Sequence, residues 1–149
     1  MHPDLRAPLL AIVLCLTSGS AHAACAVWAD ALVLGSYDPS SPVVMVQGYE
    51  IEVRCDGGDL QFELSLGQSA TSGTVDARAM RHAFHPDLLR YNLYQDASAT
   101  RLWTDRGAGL VSGATSRGRA RVPVFARIEP LQDAWVGDYH DEVVLTVLP

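Results

Sequence analysis

The sequence predicts an all-β fold, an immunoglobulin-like sandwich. Three observations carry that expectation: short runs in which apolar and polar residues alternate, turn-forming residues between those runs, and no run past the N-terminal leader with a capped 3.6-residue period. About seven such runs can be counted, the strand number of that architecture. At 149 residues the chain fits a single domain with a sizeable core.

The N-terminus comes first. Arg6 precedes the apolar run Leu9 to Leu16, and small and polar residues then lead to Ala21-His22-Ala23, an A-x-A cleavage site. Residues 1–23 are therefore expected to be a secretory signal peptide and residues 24–149 the mature domain. The apolar run falls short of the roughly 20 residues that span a bilayer, so no membrane span is expected once the signal is removed. His22 stands three before Cys25, where a bacterial lipobox would carry Leu. Removal of the leader takes Cys15 with it and leaves Cys25 and Cys55, an even pair in an exported chain, which reads as one disulfide. Two buried thiols are the bland alternative, and zinc would need more ligands than this pair supplies. In the chain-entropy picture the closed loop contributes roughly 3.5 kcal/mol.

The strands follow. Cys25 to Leu34 is apolar and ends in the turn cluster Gly35-Ser36-Tyr37-Asp38-Pro39, and Val43 to Val46 is a short run expected to pair locally. In Gly48 to Cys55 the residues Tyr49, Ile51, Val53 and Cys55 share one face, with Glu50, Glu52 and Arg54 on the other. After Asp56-Gly57-Gly58-Asp59 the alternation resumes with Leu60, Phe62, Leu64 and Leu66 inward, and the two runs are expected to form a hairpin. Ala77 to Leu89 is the best helical candidate but holds Pro86. Leu89 to Tyr94 and Val122 to Ile128 alternate again, with Pro123 implying an edge or a bulge. Gly107 to Gly118 is expected to be a long inter-strand loop or a ragged edge, and Asp133 to Tyr139 to resemble a tyrosine corner. The last run, Asp138 to Pro149, is a strong strand with no partner strand after it.

Composition narrows the function. The net charge is −6, and the basic residues are all arginine, which argues against a nucleic-acid or anionic-membrane binder. Gly109 to Gly113 places its serine one position late for a nucleophile elbow. Asp138, Asp141 and Glu142 read as solvated side chains rather than a glycosidase pair. His82, His85 and Asp87 lack further ligands, so no metal, cofactor or catalytic set is expected. Arg117, Arg119 and Arg121 would share one face of an extended segment, as an anion-contacting stripe or, more simply, a solvated strand face. Trp28, Trp103 and Trp135 are expected in the core or at its rim.

These residues, in order, form a pattern. Cys25-Ala26-Val27, Leu32-Val33-Leu34-Gly35-Ser36-Tyr37-Asp38-Pro39, Gly48 to Cys55, Leu64 to Gly67, Arg78-Ala79-Met80, Leu89 to Asp96, Leu102 to Asp105 and Gly137 to Val147 resemble the spore coat protein U domain family, whose members include pilus subunits of the archaic chaperone-usher type. Leu34 stands where that family commonly has Phe. The resemblance implies an incomplete sandwich lacking its final strand, which a periplasmic chaperone lends and a neighbouring pilus subunit later replaces after passage through an usher. It further implies a partner-strand groove beside Tyr139, Val143, Leu145 and Val147. Expected roles follow from it: a subunit passing through the periplasm to a cell-surface fibre, with adhesion and biofilm as its setting. The alternative expectation is a free-standing secreted coat protein or carbohydrate-binding sandwich. Cleavage after Ala23 would leave Ala24 alone before Cys25, against the 5–6 residues of an ordinary strand. The subunit is accordingly expected to accept a strand but not to donate one, as at a fibre tip or terminus.

Overall fold

A computed structural model describes residues 24–148; the expected signal peptide and Pro149 lie outside the described residues. Nine strands follow in order: β1 Cys25–Trp28, β2 Met45–Cys55, β3 Gln61–Ser69, β4 Ala79–His82, β5 Leu88–Tyr94, β6 Val111–Ala114, β7 Arg119–Ile128, β8 Tyr139–His140 and β9 Val143–Leu148. They build two antiparallel sheets, one of order β1-β2-β7-β5-β4-β8 and one of order β6-β3-β9. Among the described residues no helix is long and apolar enough to cross a membrane.

Alternation dictates what each sheet buries. Ile51 and Val53 of β2 and Val122, Val124, Ala126 and Ile128 of β7 point inward from the larger sheet. Phe62, Leu64 and Leu66 of β3 meet them from the smaller one. Trp103 is fully buried, and its indole N–H donates to the Leu64 carbonyl at 3.2 Å, so the ring enters the core with its polar atom satisfied. Cys25 and Cys55 are joined as a disulfide, opposite each other in the β1–β2 register.

Several expectations change. β2 and β3 are not a hairpin: β2 pairs with β1 and β7, and β3 with β6 and β9. Gly57 and Gly58 both adopt positive φ (109° and 93°), and the connection carries the chain from one sheet to the other, so the two apolar faces meet across the core. Val43 to Val46 does not pair separately, because its last two residues begin the long β2. Gly48 lets that strand continue, since a Cβ there would lie 3.0 Å from Cε1 of Phe125 on the paired β7. The Gly107 to Gly118 stretch is not all loop but holds β6, where the Phe62 ring covers Gly113 in the facing register. Ala77 to Leu89, the best helical candidate but for Pro86, forms β4, a turn and the start of β5, in keeping with the all-β expectation. Pro123 makes no bulge; it pairs in continuous register with Glu50, beyond Phe125 where β5 stops, so β7 has one neighbour at that point.

The outer face of the larger sheet settles the arginine stripe. Arg119 and Arg121 stand outward and pair across strands with Glu52 (3.7 Å) and Glu50 (3.6 Å). Arg117 does not join them, because it sits at φ 53° in the turn before β7, its N–H donating to Asp59 Oδ1 at 2.6 Å. Trp28 and Trp135 are exposed rather than core, at 58% and 56%. Trp28 instead lies under the Arg54 guanidinium, 5.3 Å from the ring centroid.

Candidate functional site

The sandwich is open along one side. After β1 the chain runs through residues 29–37 without joining either sheet, and Leu32 and Leu34 alternate inward against the core. Hydroxyl groups anchor this segment in place of a ladder. Tyr49 donates to the Val33 carbonyl at 2.5 Å, and Tyr37 donates to the Glu129 carbonyl at 3.1 Å while accepting from the Gln132 N–H at 2.8 Å.

The opposite wall comes from the C-terminal stretch. Tyr139 and His140 pair with β4 in the larger sheet, and the chain then crosses at Asp141 and Glu142 to pair as β9 with β3 in the smaller one. Between these walls lie two adjoining cavities of ≈ 480 and ≈ 570 Å³, which share Leu32, Leu34, Met80 and Tyr139 in their linings. Core residues such as Ile51, Leu66, Leu93 and Val124 form the floor of the smaller cavity. β9 is last in its sheet, so among the described residues its outer row of N–H and C=O groups has no strand partner.

Of the residues expected at a partner-strand groove, Tyr139 lines both cavities, and Val143 and Leu145 line the smaller one. Val147 shares their inward face, opposite Leu64, but lines neither cavity. The wall formed by residues 29–37 was not foreseen as part of a site; the inward pair Leu32 and Leu34 was the available signal.

The crossover is held by polar groups. The Tyr91 hydroxyl donates to Asp141 Oδ2 at 2.7 Å, and the Thr71 N–H donates to Oδ1 at 3.0 Å. Burial opposes ionisation of Asp141, but these bonds outweigh it and hold the carboxyl below its ordinary value. Burial, with the Asp141 bond adding to it, pushes the Tyr91 phenol far up, so the hydroxyl remains a donor. Behind them Arg78 is fully buried. Its Nη1 donates to Asn92 Oδ1 at 2.7 Å and its Nη2 to the carbonyls of Leu66 (3.1 Å) and Gly67 (2.7 Å). Those carbonyls lie at the start of the β3–β9 register shift between Leu66 and Ser69, and the guanidinium gives both a buried partner.

The far end is closed by an aromatic cluster. His82 is buried; its Nδ1 accepts from the N–H groups of Phe84 and His85, both at 3.0 Å, which leaves Nε2 as donor to the Val136 carbonyl at 3.0 Å. Tyr139 packs edge-on against that ring at 5.0 Å, and His85 stacks on Trp135 at 4.7 Å. The Tyr139 hydroxyl donates to the Trp135 carbonyl at 2.9 Å, the back-bonded geometry of a tyrosine corner. Both histidines are thus occupied in shaping a wall.

Comparison with known proteins gives this architecture its relatives. No curated protein matches the chain. Among solved structures, the complex of CsuC with CsuE, a chaperone–tip adhesion subunit pre-assembly complex from archaic chaperone-usher Csu pili of Acinetobacter baumannii, is similar with a TM-score of 0.62 at 17% identity. The match covers 85% of this chain and 40% of that one, so this chain spans well under half the length of that relative. The minor tip subunit HdaB of the E. coli Hda pilus matches with a TM-score of 0.38 at 11% identity, covering 83% of this chain and 79% of that chain. At the level of sequence, the family model for the Spore Coat Protein U domain matches residues 12–146. With that match covering most of its length and an immunoglobulin-like sandwich as its fold, the chain belongs to the Spore Coat Protein U domain family.

Proposed function

We propose that this chain is a secreted structural or adhesive subunit of a chaperone-usher type surface fibre, completed by a strand supplied from outside. The observation that carries the reading is the groove between residues 29–37 and the Tyr139 to Leu145 wall, floored by core side chains and bordered by the unpaired edge of β9. An inserted strand would form main-chain bonds along that edge, while its alternate side chains fill the two cavities. A periplasmic chaperone, an usher and a neighbouring subunit are the partners this implies, with transit through the periplasm to the cell surface. Tyr139, Val143 and Leu145 are assigned to the groove, with Val147 continuing their face. A tip or terminal position is the finer form of the proposal; it rests on the expected cleavage after Ala23 and is checked by the mass of the mature N-terminus.

The test is periplasmic expression with and without the cognate chaperone. Soluble protein is expected only as a complex, and Leu145→Asp, which sets a charge in the smaller cavity, is expected to abolish capture. Accumulation of monomer in the periplasm in the absence of chaperone, rather than its recovery only by refolding in vitro, would overturn the reading in favour of a free-standing sandwich.

A further inference from the structure

The groove has a charge as well as a shape. Asp30 lies on one wall and Asp138 and Asp141 on the other, with His140 beside them, and the remaining lining residues carry no ionised side chain at neutral pH. None of the arginines from Arg54 to Arg127 lines either cavity. Of these, Arg54, Arg119 and Arg121 pair with Glu50 and Glu52 on the outer sheet face, Arg101, Arg106 and Arg127 pair with Asp96, Asp105 and Glu129, and Arg78 is enclosed behind β3.

The three carboxylates are not equivalent. Asp141 has both oxygens bound within the chain, by Thr71 and Tyr91. Asp30 and Asp138 are exposed, and no ion pair among the described residues involves either. The groove therefore presents an apolar floor between two walls, each with an exposed carboxylate that makes no ion pair among the described residues.

We infer that the groove selects an extended strand in which apolar side chains alternate with Lys or Arg. The inference rests on the strand-acceptor reading above and names the chemistry of the partner. Successive side chains of a strand point to opposite faces, so when one set enters the cavities the other stands outward, level with the walls. Cations at those outward positions meet Asp30 on one side and Asp138 on the other. Each exposed pair adds little affinity, but together they act on partner choice and on association rate. They also fix register, because a slip of one residue would turn every cation toward the floor and every apolar side chain toward water.

The test uses the oxidised chain, refolded with either of two synthetic peptides of equal length. Both carry Val and Leu at alternate positions; one has Lys and the other Glu between them. Binding is read by fluorescence polarisation at low and high salt. The Lys peptide is expected to bind roughly three- to tenfold tighter at low salt, with the preference fading at high salt and in an Asp30→Asn, Asp138→Asn double variant. Equal binding of the two peptides, or tighter binding of the Glu peptide, overturns the inference and leaves the strand-acceptor reading standing. Failure of the chain to bind either peptide overturns both.

Discussion

The Tyr91 hydroxyl lies on the buried side of the larger sheet, yet its single hydrogen bond fixes the point at which the chain leaves that sheet for the other. It reaches Asp141, the first residue after β8, and the Thr71 N–H grips the other carboxylate oxygen. Because the folded-state pKa of Asp141 is held below its unfolded value, this grip contributes stability above the ordinary carboxylate range, near 3.9, and loses it as pH falls through the lower folded value. Tyr91→Phe should therefore cost about 1.5–3 kcal/mol at neutral pH, the range for a hydrogen bond to a charged group. In urea titrations the difference between the two proteins should shrink in strong acid. A difference that stays constant with pH would mean that lost packing, not the hydrogen bond, is responsible. Nothing in the alternation distinguishes Tyr91 from any other inward aromatic; its role depends on Asp141, distant in sequence.

At the scale of elements, Arg78 does what no strand pattern foretells. The β3–β9 ladder slips between Leu66 and Ser69, and the carbonyls of Leu66 and Gly67 are met by one guanidinium that also binds Asn92 of β5. A lysine keeps the charge but not the fork, so Arg78→Lys should lose about two of the three bonds and roughly 3 kcal/mol, read as a lowered urea midpoint. An unchanged midpoint would show that the bulge holds its register without the fork. The contrast marks what the sequence could tell. The inward faces of β2, β3, β7 and β9 were legible because a period of two needs only a local pattern. Which strands pair was not: Gly48 to Cys55 and Leu60 to Leu66 have the spacing of a hairpin, but burying both apolar faces against each other required sending them to opposite sheets. Alternation gave β9 an inward face, but only the family resemblance made that face one wall of a groove. Residues 29–34 read as a continuation of β1 and Gly35 to Pro39 as a turn, although three hydroxyl-mediated bonds hold residues 29–37 apart from any ladder.

Across the whole molecule the two sheets are unequally supported, and this has a measurable consequence. β7 lies inside the larger sheet between β2 and β5, whereas β9 has β3 on one side and the groove on the other. Opening free energies within one fold follow such differences, so amides of Phe125 to Ile128, where β7 has both neighbours, should be among the slowest to exchange with solvent deuterium and those of Val143 to Leu148 among the faster ones. Within β9 protection should also alternate. In an antiparallel strand successive N–H groups point to opposite edges, so one set is bonded to β3 and the other faces the groove. Capture of a partner strand should then protect the groove-facing set by up to the binding free energy available to it, while the β3-facing set changes less. The alternation in the free protein and its loss on capture are both readable by residue-resolved exchange. Uniform protection along β9 before capture would mean that its edge is already covered, and the open side of the sandwich would not be the place where a second chain enters.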